Sequence, residues 1–153
     1  MNAGMKQSRT HLRIKSRTDK LREVRDFVSA FARDAGFHDE AVHTIALCCD
    51  EACTNVIKHA YANAPDRVID IRVIRGKEEI EIVITHDGTS FDPDGVKRPD
   101  MPEYLAHFRR GGLGLHLIRS LMDRVFYRQG SGARCEVHLV KQLPAPGESG
   151  AGT

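Results

Sequence analysis

No stretch of this chain approaches the roughly 20 consecutive apolar residues that a membrane-crossing helix needs, and the N-terminus lacks the apolar centre of a secretory leader. No membrane partner is expected, and a cytoplasmic location is. Charge of one sign is missing too: 23 basic and 21 acidic residues leave a net of +2, so no general attraction for a polyanion is built in and direct nucleic-acid binding is not expected. Lys6, Arg9, His11, Arg13 and Lys15 gather in the first fifteen residues, as in a basic arm or, more ordinarily, a solvated tail. Cysteine is scarce and badly spaced for a disulfide framework. Of the four, Cys48, Cys49 and Cys53 fall within six residues of one predicted helix, and Cys135 stands apart. A reducing compartment agrees with that. Cys49 and Cys53, at i and i+4, could hold a metal, but both fall on the apolar stripe of their helix, where small buried thiols are the ordinary reading.

Internal repeats are absent, and 153 residues give room for one core but not for a second domain of normal size. Residues 1–9 read as a flexible tail, 10–143 as the folded domain, and 144–153, small, polar and glycine-rich, as a disordered tail. Alternation in Thr10–Ser16 sets Leu12 and Ile14 on one side of a short strand. From Thr18, a plausible N-cap, a helix carries Leu21, Val24, Phe27, Val28, Phe31 and Ala35 at helical spacing and closes at Gly36. Asp39 is expected to cap a longer helix whose Val42, Ile45, Ala46, Cys49, Cys53, Val56, Ile57 and Ala60 form one stripe, ending near Ala62. Two β-branched runs, Val68–Ile74 and Ile80–Thr85, flank Arg75-Gly76-Lys77-Glu78 as an antiparallel hairpin of central strands. A long loop follows from Asp87 to Gly112, with one or two helical turns expected in Pro102–Phe108. Leu113–Asp123 reads as a third helix with Leu117, Ile118, Leu121 and Met122 inward. Val125–Arg128 and Cys135–Val140 then read as strands around Gly130-Ser131-Gly132. This order predicts an α+β two-layer sandwich, a mostly antiparallel sheet with helices on one face.

Three clusters can carry chemistry. At about 100 degrees per residue, the second helix puts Glu51 and Asn55 opposite its apolar stripe, one turn apart. Alone, such a pair reads as solvated surface; Leu47 and Cys48 share parts of that side, so the face can instead line a cavity. Asp87-Gly88-Thr89 stands where the Ile80–Thr85 strand runs out. Asp-Gly is a common turn, yet a carboxylate there can accept from an exocyclic amine such as adenine's while the missing Cβ admits a flat ring. Arg110-Gly111-Gly112-Leu113-Gly114 runs straight into a helix, whose N-terminus adds about half a positive charge to the free backbone N–H groups. Phosphate is the natural guest, and a flexible hinge is the bland alternative. There is no Walker GxxxxGK[ST], no GxGxxG after a strand and no HRD or DFG set, so the usual P-loop and eukaryotic-type kinase readings are excluded.

In this order, Glu51-Ala52-Cys53-Thr54-Asn55-Val56-Ile57-Lys58-His59-Ala60-Tyr61, Asp87-Gly88-Thr89-Ser90-Phe91-Asp92-Pro93 and Gly111-Gly112-Leu113-Gly114-Leu115 strongly resemble the N, G1 and G2 boxes of GHKL ATPases with the Bergerat fold. The likeness spans about Thr10 to Leu143. Within the family it is nearest to the bacterial anti-sigma factor serine/threonine kinases, which share the short lone domain and the ending Leu121-Met122-Asp123-Arg124-Val125. The resemblance implies ATP and Mg²⁺ as cofactors. Asn55 would give its side-chain oxygen to Mg²⁺, Asp87 would recognise adenine with Gly88 and Thr89 beside it, and Glu51 would be the catalytic base. Gly112 and Gly114 would bring backbone donors to the phosphates, within the loop that also holds Arg110, Gly111 and Leu113. Residues between Phe91 and Arg110 would form a lid. Ser90-Phe91 replaces the second glycine of a full Asp-x-Gly-x-Gly box.

The resemblance implies a kinase that phosphorylates a STAS-type antagonist and also holds a sigma factor or similar regulator. A nucleotide-gated binding module without phosphotransfer is the alternative. A sensor histidine kinase fragment is disfavoured, because no helical hairpin with a phosphoacceptor histidine precedes the domain; His59 and His86 adjoin the site in packing or supporting roles. Oligomeric state is left open, a homodimer included.

Overall fold

The computed structural model describes residues 10–87, 114–130, 132 and 134–144. Among the described residues there are five strands: β1 (His11–Lys15), β2 (Val68–Arg75), β3 (Glu79–His86), β4 (Arg124–Gln129) and β5 (Cys135–Gln142); burial alternates along β1 and β2, whereas β3 and β5 are buried along most of their length. They form one sheet of order β1-β2-β3-β5-β4 with every pairing antiparallel. Register puts apolar residues in rows across it. Leu12 faces Ile71, Ile71 faces Ile84, and Ile84 faces Val137; Val73, Ile82 and Leu139 form the next row. The alternate residues, Arg13, Asp70, Glu81 and Glu136 among them, take the other face. There His138 is buried with its ring stacked on Phe126 and its two nitrogens facing Glu81 and Glu136 at 2.5 and 2.8 Å.

Helices α1 (Leu21–Asp34), α2 (Asp39–Asn55) and α3 (Gly114–Leu121) complete the α+β architecture, with α1 and α3 both packed against α2. The expected stripe of α2 and its continuation is buried at every position, and it merges with Ile69, Ile71, Ile82 and Ile84 of the sheet in a single core. Each such large side chain contributes about 1.5–3 kcal/mol relative to staying in water. On α1, Leu21, Val24, Phe27 and Val28 are buried, as is Ala35 just past its end, and Phe31 packs at the margin. Ile118 and Met122 of the third helical segment also point into the core. Among the described residues, no helix is long and apolar enough to cross a membrane.

Some local expectations fail. Thr18 opens a short 3₁₀ turn, Thr18–Lys20, instead of capping α1, and no side chain caps either element. Asp39 is the first residue of α2, not its cap; its carboxylate lies 3.8 Å from Arg33, and with Glu40 it places negative charge in the first turn, where the helix dipole favours it. α2 stops as an α-helix at Asn55 and continues as a π-helical segment, Val56–Ala60, closed by Tyr61 N–H to Val56 C=O at 2.9 Å. Ala62 and Asn63 follow with φ of 49° and 65°, the left-handed region that ends the helical run. At the end of α1, Gly36 takes φ 104°, which glycine alone adopts without strain. The tail 1–9, all but the first residue of the tail 144–153, the lid 91–110 and the helical turns expected in Pro102–Phe108 lie outside the described residues.

Candidate active site

Glu51 and Asn55 come from the last turn and a half of α2, on the side away from its buried stripe, and both are half-buried. Bulk water does not surround that side. Cys48, one turn before Glu51, is fully buried, and Lys141 of β5 lies near enough to act on its thiol while donating to the Leu121 carbonyl at the end of α3 (2.9 Å). Burial holds the Glu51 carboxyl above its ordinary value of 4.5; Asp50 adds to the effect and Lys58 opposes it. A carboxyl so placed takes up a proton more readily than a surface glutamate. The neighbouring thiols stay protonated: desolvation pushes Cys48 up to about 11, Cys53 to about 12 and Cys49 well above its ordinary value. Cys49 and Cys53 are therefore buried apolar groups.

Asp87 stands at the end of β3, exposed, one residue past the last ladder pairs of His86 with Ile69 and Cys135. Its N–H donates to the Tyr61 hydroxyl at 2.9 Å, and that hydroxyl donates to the Val68 carbonyl at 2.6 Å. The Tyr61 ring lies under the Arg67 guanidinium, 5.1 Å from the ring centroid, and meets the His86 ring edge-on at 5.9 Å. His86 is buried, and its Nδ1 has no hydrogen-bond partner among the described residues. Burial lowers its pKa to about 4, with Asp87 opposing, so the ring is neutral at physiological pH.

Gly114 is the first residue of α3, so the last glycine of the third motif opens a helix that packs on α2, the helix that carries Glu51 and Asn55. Gly88, Thr89, Arg110, Gly111, Gly112 and Leu113 lie outside the described residues. Sequence reasoning missed Tyr61 as a contact of Asp87. Its signal was an aromatic hydroxyl at the last position of the motif that holds Asn55.

Residues 14–141 match the family model described as the histidine kinase-like ATPase domain, and the chain belongs to that family. The fold and the three ordered motifs agree with it. Among curated proteins, the chain is similar to Serine-protein kinase RsbW of Listeria monocytogenes serovar 1/2a, with 35% identity over 109 residues, covering 67% of this chain and 69% of that protein. The protein of the same name from Halalkalibacterium halodurans is 31% identical over 123 residues, 78% of this chain and 75% of its own. That from Bacillus cereus is 29% identical over 120 residues, covering 74% and 73%.

Proposed function

We propose that this chain is a Mg²⁺- and ATP-dependent protein serine/threonine kinase of the anti-sigma factor type, acting on a STAS-type antagonist and also holding a sigma factor or similar regulator. The observation that carries the reading is Glu51, half-buried one helical turn before Asn55, with its carboxyl raised by desolvation on the helix against which α3 packs. The names of the relatives support the same activity.

In this reading Glu51 takes the proton of a serine or threonine hydroxyl. The freed oxygen bonds to the γ-phosphorus, and the bond from that phosphorus to the β–γ bridging oxygen breaks, releasing ADP. A raised carboxyl pKa helps, since a base works best when its pKa approaches the working pH. Asn55 fits Mg²⁺: its amide offers a hard neutral oxygen, it makes no capping bond to the segment that follows, and the protonated thiols nearby do not compete as ligands. Bound there, the ion would neutralise phosphate charge and take its other ligands from phosphate oxygens and water. Asp87 accepts the adenine amine, with Gly88 and Thr89 beside the ring. Gly112 and Gly114 bring backbone donors to the phosphates, within the motif that also holds Arg110, Gly111 and Leu113, while residues 91–110 serve as the lid and Arg109 or Arg110 approaches the γ-phosphate.

Labelled ATP and a purified STAS-type protein test the proposal. Asn55→Ala should lose Mg²⁺-dependent ATP affinity and phosphotransfer together, whereas Glu51→Gln should bind ATP and transfer roughly 100-fold more slowly. If wild type binds ATP yet phosphorylates no such partner, an ATP-gated binding module takes the kinase's place.

A further inference from the structure

The Tyr61 hydroxyl sits where three parts of the chain meet: the end of the α2 continuation, the first residue of β2 and the first residue beyond β3. Its two hydrogen bonds have only one possible polarity. The Val68 carbonyl can only accept and the Asp87 N–H can only donate, so one phenol serves both, and phenylalanine would serve neither. We infer that Tyr61 is a positioning residue that holds the end of β3 where the Asp87 carboxylate reads the base. This rests on the assignment of Asp87 to adenine made above.

Among the described residues, no ladder reaches this point. The ladders on both sides of β3 end at His86, so the Asp87 N–H has no strand partner, and the hydroxyl is what it meets. Tyr61 itself is well held. Only 5% exposed, it is clamped between the Arg67 guanidinium and the edge of His86, and burial raises its pKa, which keeps the proton that the Val68 carbonyl accepts. The backbone around it is specialised too: a π-helical turn leads in, and two non-glycine residues in the left-handed region lead out. Both hydrogen bonds of the hydroxyl lie at the Asp87 end of the site, to the Val68 carbonyl and from the Asp87 N–H. Tyr61 therefore contributes to recognition of the base and not to affinity for the phosphates.

The test is calorimetric titration of the full chain with ATP, with inosine triphosphate, which lacks the amine, and with tripolyphosphate, which lacks the nucleoside, all with Mg²⁺. Tyr61→Phe keeps the ring and removes the hydroxyl. It should weaken ATP about fivefold to tenfold, the scale of one neutral hydrogen bond, and leave tripolyphosphate and inosine triphosphate within about twofold of wild type. Adding it to Asp87→Asn should cost ATP affinity little more than Asp87→Asn alone, since the two residues act as one unit. Should Tyr61→Phe fold poorly, 3,5-difluorotyrosine at position 61 keeps shape and hydroxyl but makes the oxygen a poorer acceptor, and the same selective loss for ATP is expected. Equal weakening of ATP and tripolyphosphate would mean that Tyr61 only supports the fold. Unchanged ATP affinity in Tyr61→Phe alongside a loss in Asp87→Asn also overturns the inference. If Asp87→Asn itself leaves ATP affinity intact, the adenine assignment fails first, and the inference fails with it.

Discussion

Arg25 of α1 reaches across to Asp50 of α2, Nη1 to Oδ1 at 3.1 Å, and Asp50 is the residue next to Glu51. Burial and, next to it, the Asp50 charge push the Glu51 carboxyl up, and a guanidinium paired with Asp50 offsets that negative charge. Arg25 is nearly half exposed, so breaking the pair changes stability by about 1 kcal/mol or less. Its effect on chemistry is separable. Arg25→Met should move the acid limb of phosphotransfer to higher pH with little change in melting temperature, as a pH profile of kcat/KM beside thermal unfolding would reveal.

Glu51 also makes a stability prediction. Its folded pKa is raised, so the folded state holds the proton more tightly than the unfolded chain does; the associated stability is present in acid and lost as pH rises through the folded value. At neutral pH the ionised side chain therefore destabilises the fold. Glu51→Gln removes that charge and should melt above wild type at pH 7.5, with the gain fading toward pH 4. A gain of the same size at both pH values would show that the charge is not the cause.

His86 works with the opposite sign. Its pKa falls from 6.5 to about 4 on folding, so stability is full above pH 6.5 and is lost as pH drops toward 4. The loss attributable to this ring is roughly 3 kcal/mol over that window. Urea unfolding at pH 7 and pH 4.5 should show His86→Gln losing clearly less stability than wild type between the two.

All four thiols are buried, and desolvation raises Cys48, Cys49 and Cys53. Thiolate is the reactive form. A chromogenic disulfide reagent should thus titrate almost no thiol in the native protein and four in urea. Rapid labelling of Cys49 or Cys53 without unfolding would contradict the packing of α2.

Much of this is legible in the amino-acid order. The stripe from Val42 to Ala60 follows helical periodicity, and Val68–Ile74 with Ile80–Thr85 follows strand alternation, so elements, hairpin and two-layer class can be read directly. Glu51 and Asn55 fall on one side of α2 by spacing alone. The failures are local. Thr18 and Asp39 are good capping residues by type, but a cap stands just before the first helical residue, and these two are themselves the first residues of the 3₁₀ turn and of α2. The π-helical turn at Val56–Ala60 keeps the same apolar residues buried that an α-helix would, so the pattern does not distinguish them. Tyr61 and Asp87 are 26 residues apart and meet only because the β2–β3 hairpin brings them together, a geometry that neither motif contains.

β3 is the middle strand of five, with two on either side. Transient opening of a sheet begins at its rims, where backbone amides are closest to water, and reaches the centre only when most of the domain comes apart. The strand that leads to Asp87 therefore belongs to the slowest-exchanging part of the molecule, and fraying at β1 or β4 can come and go without disturbing it. A destabilising change at either rim should accelerate amide exchange there and leave nucleotide affinity intact, until the protein is close to global unfolding.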